Sequence, residues 1–105
     1  IPIKIQKIEK YNYSSYHLFI IQFDLNKTKY NYNKIFKKYR DSKIFVNLHY
    51  KPLHLNPFFR KLGFKKNQFT VSEKYGENTI SIPIFYEIKK KETNKVIKIT
   101  KSFFN

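Results

Sequence analysis

The sequence predicts an α+β fold in which helices cover a small, antiparallel-type sheet. Two kinds of pattern lead to this prediction: short β-rich apolar runs, and segments whose apolar residues recur at helical spacing. They are distributed along 105 residues, a length that suits one domain with one modest core. Strands of this kind and helices with one apolar face pack together as two layers.

Three segments are predicted to be strands. Residues 16–23, YHLFIIQF, are β-rich and almost continuously apolar, which indicates a buried strand that ends at Asp24. Residues 44–48, IFVNL, predict a second strand, and residues 80–84, ISIPI, predict a third. Because Pro83 has no N–H for a sheet ladder, we expect it at a sheet edge or at the end of its strand.

Helical spacing marks three other segments. Residues 31–40 place apolar side chains on one face, and Asn31 is the predicted N-cap. Residues 69–78 form a helix that Gly76 should make short or closely packed, because glycine costs about 1 kcal/mol in a helix interior. Residues 89–104 predict a terminal amphipathic helix.

Two further segments are less regular. Residues 1–13 begin with an alternation of apolar and polar residues, and Pro2 discourages a helix there, so we expect an extended lead-in or linker. Residues 57–63 can form one or two helical turns, since Pro57 is tolerated at the first helical position and Gly63 can close the helix.

The net charge of +15 has two explanations. Lysine and arginine neutralise phosphates, so the charge fits a polyanionic partner. Compositional bias fits better, because residues with AT-rich codons dominate: lysine occurs 20 times, isoleucine 14 and asparagine 10, while arginine occurs twice. The lysines are scattered, and proteins that read DNA sequence favour arginine. We therefore expect loose association with polyanions at low salt. A small basic nucleic-acid-binding module stays open as an alternative function of the chain.

Composition disfavours several classes of protein. Cysteine is absent, which rules out disulfides and thiolate metal sites and fits a reducing compartment such as the cytoplasm. No run approaches the roughly 20 apolar residues of a membrane span. The first residues lack the apolar block of a signal peptide. They also lack a starting methionine, so we expect a piece of a longer protein.

No complete catalytic motif is present in the sequence. Two glycines cannot form a glycine-rich phosphate loop, and neither a serine-nucleophile motif nor a zinc motif occurs. His17 lies in the first predicted strand, where a core or interface histidine is expected, and Ser14 and Ser15 are expected in a turn before it. His49 and His54 flank a proline without a third ligand, so no metal site is expected.

The segment from His49 to Phe64, HYKPLHLNPFFRKLGF, combines histidines, prolines, aromatic rings and basic side chains. The segment begins at the C-terminal end of the strand predicted at 44–48, and loops at strand ends are common binding sites. Tyr50 can stack, Lys51 can contact a phosphate and the histidines can form hydrogen bonds. A rigid structural crossing filled by aromatic rings explains the same residues, and chemistry alone leaves both interpretations open.

Four segments occur in an order that resembles a known family: residues 14–23 (SSYHLFIIQF), 45–64 (FVNLHYKPLHLNPFFRKLGF), 72–85 (SEKYGENTISIPIF) and the terminal helix. Together they resemble the C-terminal region of the DegT-type (DegT/DnrJ/EryC) sugar aminotransferases, which are fold-type I enzymes that use pyridoxal phosphate. Within this family they are most similar to the transaminases of pseudaminic acid synthesis, which aminate C4 of a UDP-linked keto-sugar.

The resemblance implies that the chain is the small C-terminal domain of a larger enzyme. Residues 14–105 would form this domain, and residues 1–13 would be the linker from a large domain that holds pyridoxal phosphate and its lysine. The enzyme would be a cytoplasmic homodimer that uses glutamate as amino donor and serves surface or flagellin glycan synthesis. The chain alone is expected to be inactive. A non-catalytic interaction domain that kept the fold is a further alternative.

The resemblance also implies a binding site for the nucleotide-sugar. The substrate-facing segment comprises His49, Tyr50, Lys51, Pro52, Leu53 and His54. In this assignment Lys51 would face the diphosphate, while His49 and Tyr50 would face the sugar or the nucleotide. No catalytic residue and no metal ligand is expected within the chain.

Overall fold

The computed structural model describes residues 1–104 and confirms the predicted α+β fold. Within these residues, one antiparallel sheet contains β1 (Ile3–Ile5), β2 (Phe19–Phe23) and β3 (Thr79–Ile82), with β2 in the centre. The helices are α1 (Tyr32–Asp41), α2 (Pro57–Lys61), α3 (Thr70–Asn78) and α4 (Lys90–Ser102). No helix in this part of the chain is long and apolar enough to cross a membrane.

Side chains of the sheet, α1 and α4 share one aromatic and aliphatic core. Asn31 caps α1 as predicted, because its side-chain oxygen accepts a hydrogen bond from the Lys34 N–H at 3.0 Å. Phe103, just after α4, is fully buried and meets the ring of Tyr39 edge-on, with 5.0 Å between centroids. The buried apolar residues are Ile21, Phe23, Ile35, Tyr39, Ile44, Val46, Ile80, Val96 and Phe103.

Residues 1–13 contain a strand that the sequence did not predict. β1 pairs antiparallel with β2, so that Ile3 lies opposite Phe23 and Ile5 lies opposite Ile21. A segment this short forms a strand only where an existing sheet offers hydrogen-bond partners. The division of the chain into a linker and a domain stays a prediction.

Residues 44–48 were predicted to be a strand, and this prediction is wrong. In the described part of the chain, one isolated bridge from Asn47 to β3 is the only strand-like pairing of the segment. Ile44 and Val46 are nevertheless buried, so the apolar run fills the core with an irregular backbone. The guanidinium of Arg40 supports it by donating a hydrogen bond to the Val46 carbonyl oxygen at 2.9 Å.

The strand predicted at 16–23 begins only at Phe19. Tyr16 has a left-handed backbone with a φ of 50°, which interrupts the extended chain, and its N–H donates to Ser14 Oγ at 3.1 Å. His17 is therefore exposed and lies outside the strand. The expectation of a core histidine at this position is wrong, and the expectation of an interface histidine stays a prediction.

The other boundaries follow local signals closely. α2 begins at Pro57, and Gly63 follows it with a φ of 98°, a conformation that favours glycine. α3 ends at Asn78 and β3 starts at the next residue. β3 stops one residue before Pro83, which agrees with the expected strand end.

Candidate functional site

Residues 49–54, which we call the HYKPLH loop, pack against α3. The loop follows the Asn47 bridge to β3 and then contacts α3. Its last two residues belong to a single 3₁₀ turn, Leu53–Leu55, and Asn56 separates this turn from α2. The loop therefore follows a fixed path over elements of the fold.

The side chains of the HYKPLH loop divide into exposed and enclosed groups. Tyr50, Lys51 and Leu53 are exposed, and 74% of Tyr50 is accessible. Pro52 is partly buried. The ring of His49 lies edge-on to Tyr50, with 4.6 Å between centroids, and both of its nitrogens are buried without a hydrogen-bond partner in the described part of the chain.

The unpartnered nitrogens of His49 indicate hydrogen-bonding capacity that the fold does not use. A buried polar group without a partner costs about 1–3 kcal/mol, so such groups are normally satisfied. A ligand, a water molecule or another part of a larger protein can supply the partner. His49 thus has unused hydrogen-bonding capacity beside the exposed Tyr50, on nitrogens that the fold encloses.

His54 points into the protein. It is 7% exposed, and its Nε2 lies 2.9 Å from Oε1 of Glu73 in α3, which is 5% exposed. The same carboxylate accepts the backbone N–H of Asn67 at 2.8 and 3.0 Å and that of Phe69 at 3.3 Å. Donors of this kind allow a carboxylate to be buried. The assignment of the loop to substrate stays a prediction, but the ring of His54 is engaged in this interior pair.

Opposing effects set the pKa of Glu73. Burial disfavours the charged carboxylate and raises the pKa. The hydrogen bonds from Asn67, His54 and Phe69, together with the charge of His54, lower it. The lowering effects are larger in sum, so the pKa of Glu73 lies below its ordinary value of 4.5 and the group is ionised at neutral pH.

Gly76 allows α3 to touch the HYKPLH loop. A Cβ atom at this position would stand 2.9 Å from Cδ of Pro52 and 3.0 Å from the carbonyl oxygen of Tyr50. The expectation of close packing at Gly76 is therefore confirmed. Sequence reasoning did not place Gly76 or Glu73 in the site, and the only available signal was a glycine inside a helical pattern, three residues after an acidic residue.

Sequence comparison connects the chain with known proteins. The family model described as the DegT/DnrJ/EryC1/StrS aminotransferase family matches residues 1–101. The uncharacterized protein MJ1066 of Methanocaldococcus jannaschii is 30% identical over 95 residues, which are 90% of this chain and 25% of that protein. The spore coat polysaccharide biosynthesis protein SpsC of Bacillus subtilis is 25% identical over 85 residues, 79% of this chain and 22% of SpsC.

Structural comparison finds the same fold in Spr1654 from Streptococcus pneumoniae, which is assigned as a sugar aminotransferase. Its PMP-form gives a TM-score of 0.77 at 28% identity, over 86% of this chain and 22% of the Spr1654 chain. Its PLP-form gives a TM-score of 0.82 at 23% identity, a likeness that shows the fold alone. The chain spans about a quarter of the length of the proteins that it matches.

The residues matched by the family model include nearly all helices and strands of the structure. The match includes β1, the HYKPLH loop and α3, and it ends one residue before the end of α4. Most of the described fold is therefore covered by one family model, and part of a sugar aminotransferase has the same architecture. The chain belongs to the DegT/DnrJ/EryC1/StrS aminotransferase family.

Proposed function

We propose that the chain is the C-terminal part of a pyridoxal-phosphate-dependent aminotransferase that aminates a nucleotide-linked keto-sugar. The expected substrate is a UDP-sugar aminated at C4, with glutamate as amino donor, in the synthesis of a surface or flagellin glycan of the pseudaminic acid type. Family membership supports the aminotransferase, and the likeness to Spr1654 and SpsC supports a sugar pathway.

The observation that carries the nucleotide-sugar proposal is the exposure of Tyr50 and Lys51 on a loop that α3 anchors. A UDP-sugar offers two phosphates, and an ammonium group forms strong charge-assisted hydrogen bonds with phosphate oxygens. A tyrosine ring can stack on the base or the sugar. His49 can donate to or accept from a sugar hydroxyl, and Pro52 and Leu53 would extend the contact surface.

Pyridoxal phosphate supplies the electron sink that amine transfer needs. The described residues do not fit its site, because none of their lysines is buried. A lysine that reacts with a carbonyl group is activated by desolvation or by a neighbouring cation. We therefore place the cofactor and its lysine in the rest of the enzyme and expect the chain alone to be inactive.

The proposed whole enzyme is a cytoplasmic homodimer with two domains in each subunit. Residues 14–105 form its C-terminal domain, and residues 1–13 are the crossing from the large domain. The pairing of β1 with β2 would attach this crossing to the sheet of the small domain. The HYKPLH loop would cover the nucleotide-sugar from the small domain.

The first test examines the gene upstream of Ile1. The match covers 25% of MJ1066, so the remaining 75% corresponds to a coding region about three times as long as the match. The proposal requires most of this region upstream of Ile1, with a lysine for the cofactor. A start codon immediately before Ile1 contradicts the proposal.

The second test measures the kinetics of the full-length enzyme with a UDP-linked 4-keto-sugar and glutamate. Lys51→Ala removes a charge-assisted hydrogen bond worth about 1.5–3 kcal/mol, so KM for the sugar should rise about 10- to 100-fold. Lys98→Ala, at an exposed position of α4, is the matched control and should change KM by less than about twofold. If the double variant His49→Ala, Lys51→Ala has an unchanged KM, the site assignment is wrong.

The charge of +15 favours one alternative, a small nucleic-acid-binding module. That function requires strong, salt-dependent binding to single-stranded nucleic acid at physiological salt. We expect only weak binding there, since the lysines are spread along the whole chain. Titration of labelled single-stranded DNA and RNA at increasing salt separates the two functions.

A further inference from the structure

The function proposed above assigns no ligand contact to the face of α3 that packs against the HYKPLH loop. Glu73 and Gly76 are three residues apart, so they lie on the same face of the helix. Gly76 contacts Tyr50 and Pro52 near the start of the loop, and Glu73 holds His54 at its end. One contact therefore lies at the two neighbours of the exposed Lys51, and the other lies at the end of the loop.

The contact at Glu73 is buried and uses both carboxylate oxygens. Oε1 receives His54, the N–H of Asn67 and the N–H of Phe69, and Oε2 receives a second contact from Asn67. The carboxylate thus joins the loop to the segment that enters α3. Loss of its charge would weaken both attachments at once.

The contact at Gly76 involves atoms that cannot move independently. A Cβ atom would meet Cδ and Cγ of Pro52 at 2.9 and 3.2 Å and the carbonyl oxygen of Tyr50 at 3.0 Å. The carbonyl oxygen is a backbone atom, and the proline ring is closed onto the backbone. An alanine at this position must therefore change the position of the loop relative to α3.

We propose that Glu73 is a positioning residue for the nucleotide-sugar. It acts through His54 and, together with the close contact at Gly76, sets the position of Tyr50 and Lys51 against the ligand. This inference rests on the proposed function, because the loop must bind the nucleotide-sugar for its position to matter. Glu73 itself touches no substrate, so sugar binding depends on a helix that lies behind the loop.

Double variants of the full-length holoenzyme test the inference, with a UDP-linked 4-keto-sugar as the probe. Glu73→Gln keeps the size of the side chain but places an NH₂ group where Asn67 or His54 needs an acceptor. KM for the sugar should rise about tenfold, and kcat should change less. In a Lys51→Ala background the same substitution should raise KM less than about threefold, because the group that it positions is absent.

Gly76→Ala is the second variant, and it should not destabilise the helix itself. Alanine has a higher helix propensity than glycine, so α3 should form at least as well. Displacement of the loop should raise KM about tenfold, again with a smaller effect when Lys51→Ala is also present. Glu77→Gln is the matched control, since Glu77 is an exposed residue of α3, and it should leave KM unchanged.

The outcomes distinguish the positioning role from the proposed function. If Lys51→Ala leaves KM unchanged, the proposed site is wrong and the positioning role is overturned with it. If Lys51→Ala raises KM while Glu73→Gln and Gly76→Ala have no effect, only the positioning role is overturned. A Glu73→Gln effect that is equal in both backgrounds also contradicts it, because a merely structural residue would act on both alike.

Discussion

The hydroxyl of Tyr39 lies 2.6 Å from Oγ1 of Thr100, so one buried hydrogen bond joins α1 to α4. The Thr100 hydroxyl donates to the Val96 carbonyl oxygen at 2.8 Å, which leaves it free to accept from Tyr39. Neither Tyr39 nor the adjacent Phe103 is exposed. A polar contact within the core therefore connects α1 with α4.

Loss of that hydrogen bond should weaken the fold by a small, measurable amount. Tyr39→Phe keeps the ring, and Thr100 keeps its bond to Val96, so the free energy of unfolding should fall by about 1 kcal/mol. Urea unfolding of the 105-residue chain at low concentration measures this change. Tyr86→Phe, at a fully exposed turn position, is the control and should stay within about 0.5 kcal/mol. Equal effects of the two variants would contradict the role of the bond.

Alkaline pH should destabilise the chain through the buried Tyr39 and the partly buried Tyr32. Burial raises the pKa of Tyr39 from 10.0 to about 12, against the lowering effect of its hydrogen bond with Thr100, and burial also raises the pKa of Tyr32 to about 12. A raised folded-state pKa gives stability that is complete below pH 10 and is lost as the pH rises towards 12. For Tyr39 the loss is about 2 kcal/mol.

The difference between unfolding curves of the wild type and Tyr39→Phe isolates this effect, because deprotonation of the lysines is common to both. The wild type is about 1 kcal/mol more stable below pH 10 and loses more than this as Tyr39 ionises, so the two curves should approach and then cross between pH 10 and 12. A constant difference over that range would show that Tyr39 does not titrate differently in the two states.

Acidic pH should release the pair of Glu73 and His54. The pKa of Glu73 is lowered in the folded state, so its contribution to stability is present above pH 4.5 and is lost as the pH falls through the lower folded-state value. Unfolding midpoints of the wild type and Glu73→Gln should therefore differ most at neutral pH and approach each other in acid. Glu77→Gln, which is exposed, should follow the wild type throughout.

Gly63 should resist substitution for reasons of backbone conformation alone. Its φ is 98°, and a Cβ atom at this position would meet nothing within 4 Å. Gly63→Ala should lower the free energy of unfolding by about 1–2 kcal/mol, since the left-handed region disfavours side chains with a Cβ. The exposed neighbour Leu62 provides the control, and Leu62→Ala should have little effect. If the two variants lost equal amounts of unfolding free energy, backbone strain at residue 63 would not explain the effect.

The isolated chain should associate when its charge is screened. Phe58 and Leu62 are four residues apart at α2 and both are exposed, at 66% and 63%. The net charge of +15 opposes association at low salt, and salt reduces this repulsion. In analytical ultracentrifugation the average mass of the particles should therefore increase with salt concentration. The double variant Phe58→Ser, Leu62→Ser should show a smaller increase. A wild-type chain that stays monomeric in high salt would contradict the prediction.

Local sequence patterns predicted much of the fold, because several helices and strands depend mainly on the residues within and next to them. Asn31 before an amphipathic run predicted α1 and its cap, and Pro57 with Gly63 predicted a short helix between them. His17 was misplaced because nothing in an apolar run indicates that Tyr16 has a left-handed backbone. Glu73 was missed because burial of a carboxylate depends on donors that the three-dimensional fold supplies.

The sequence alone determined the positions of β2, α1, α3, β3 and α4 to within a few residues, since apolar periodicity and capping act over short stretches of chain. It also identified the HYKPLH loop as the unusual segment. Tertiary structure alone decided the backbone conformation of residues 44–48. In the described part of the chain their one pairing partner is Ser81, which is distant in the sequence. Tertiary structure also decided that His54 points inward, since Glu73 is 19 residues away in the sequence and becomes its neighbour only when α3 packs against the loop.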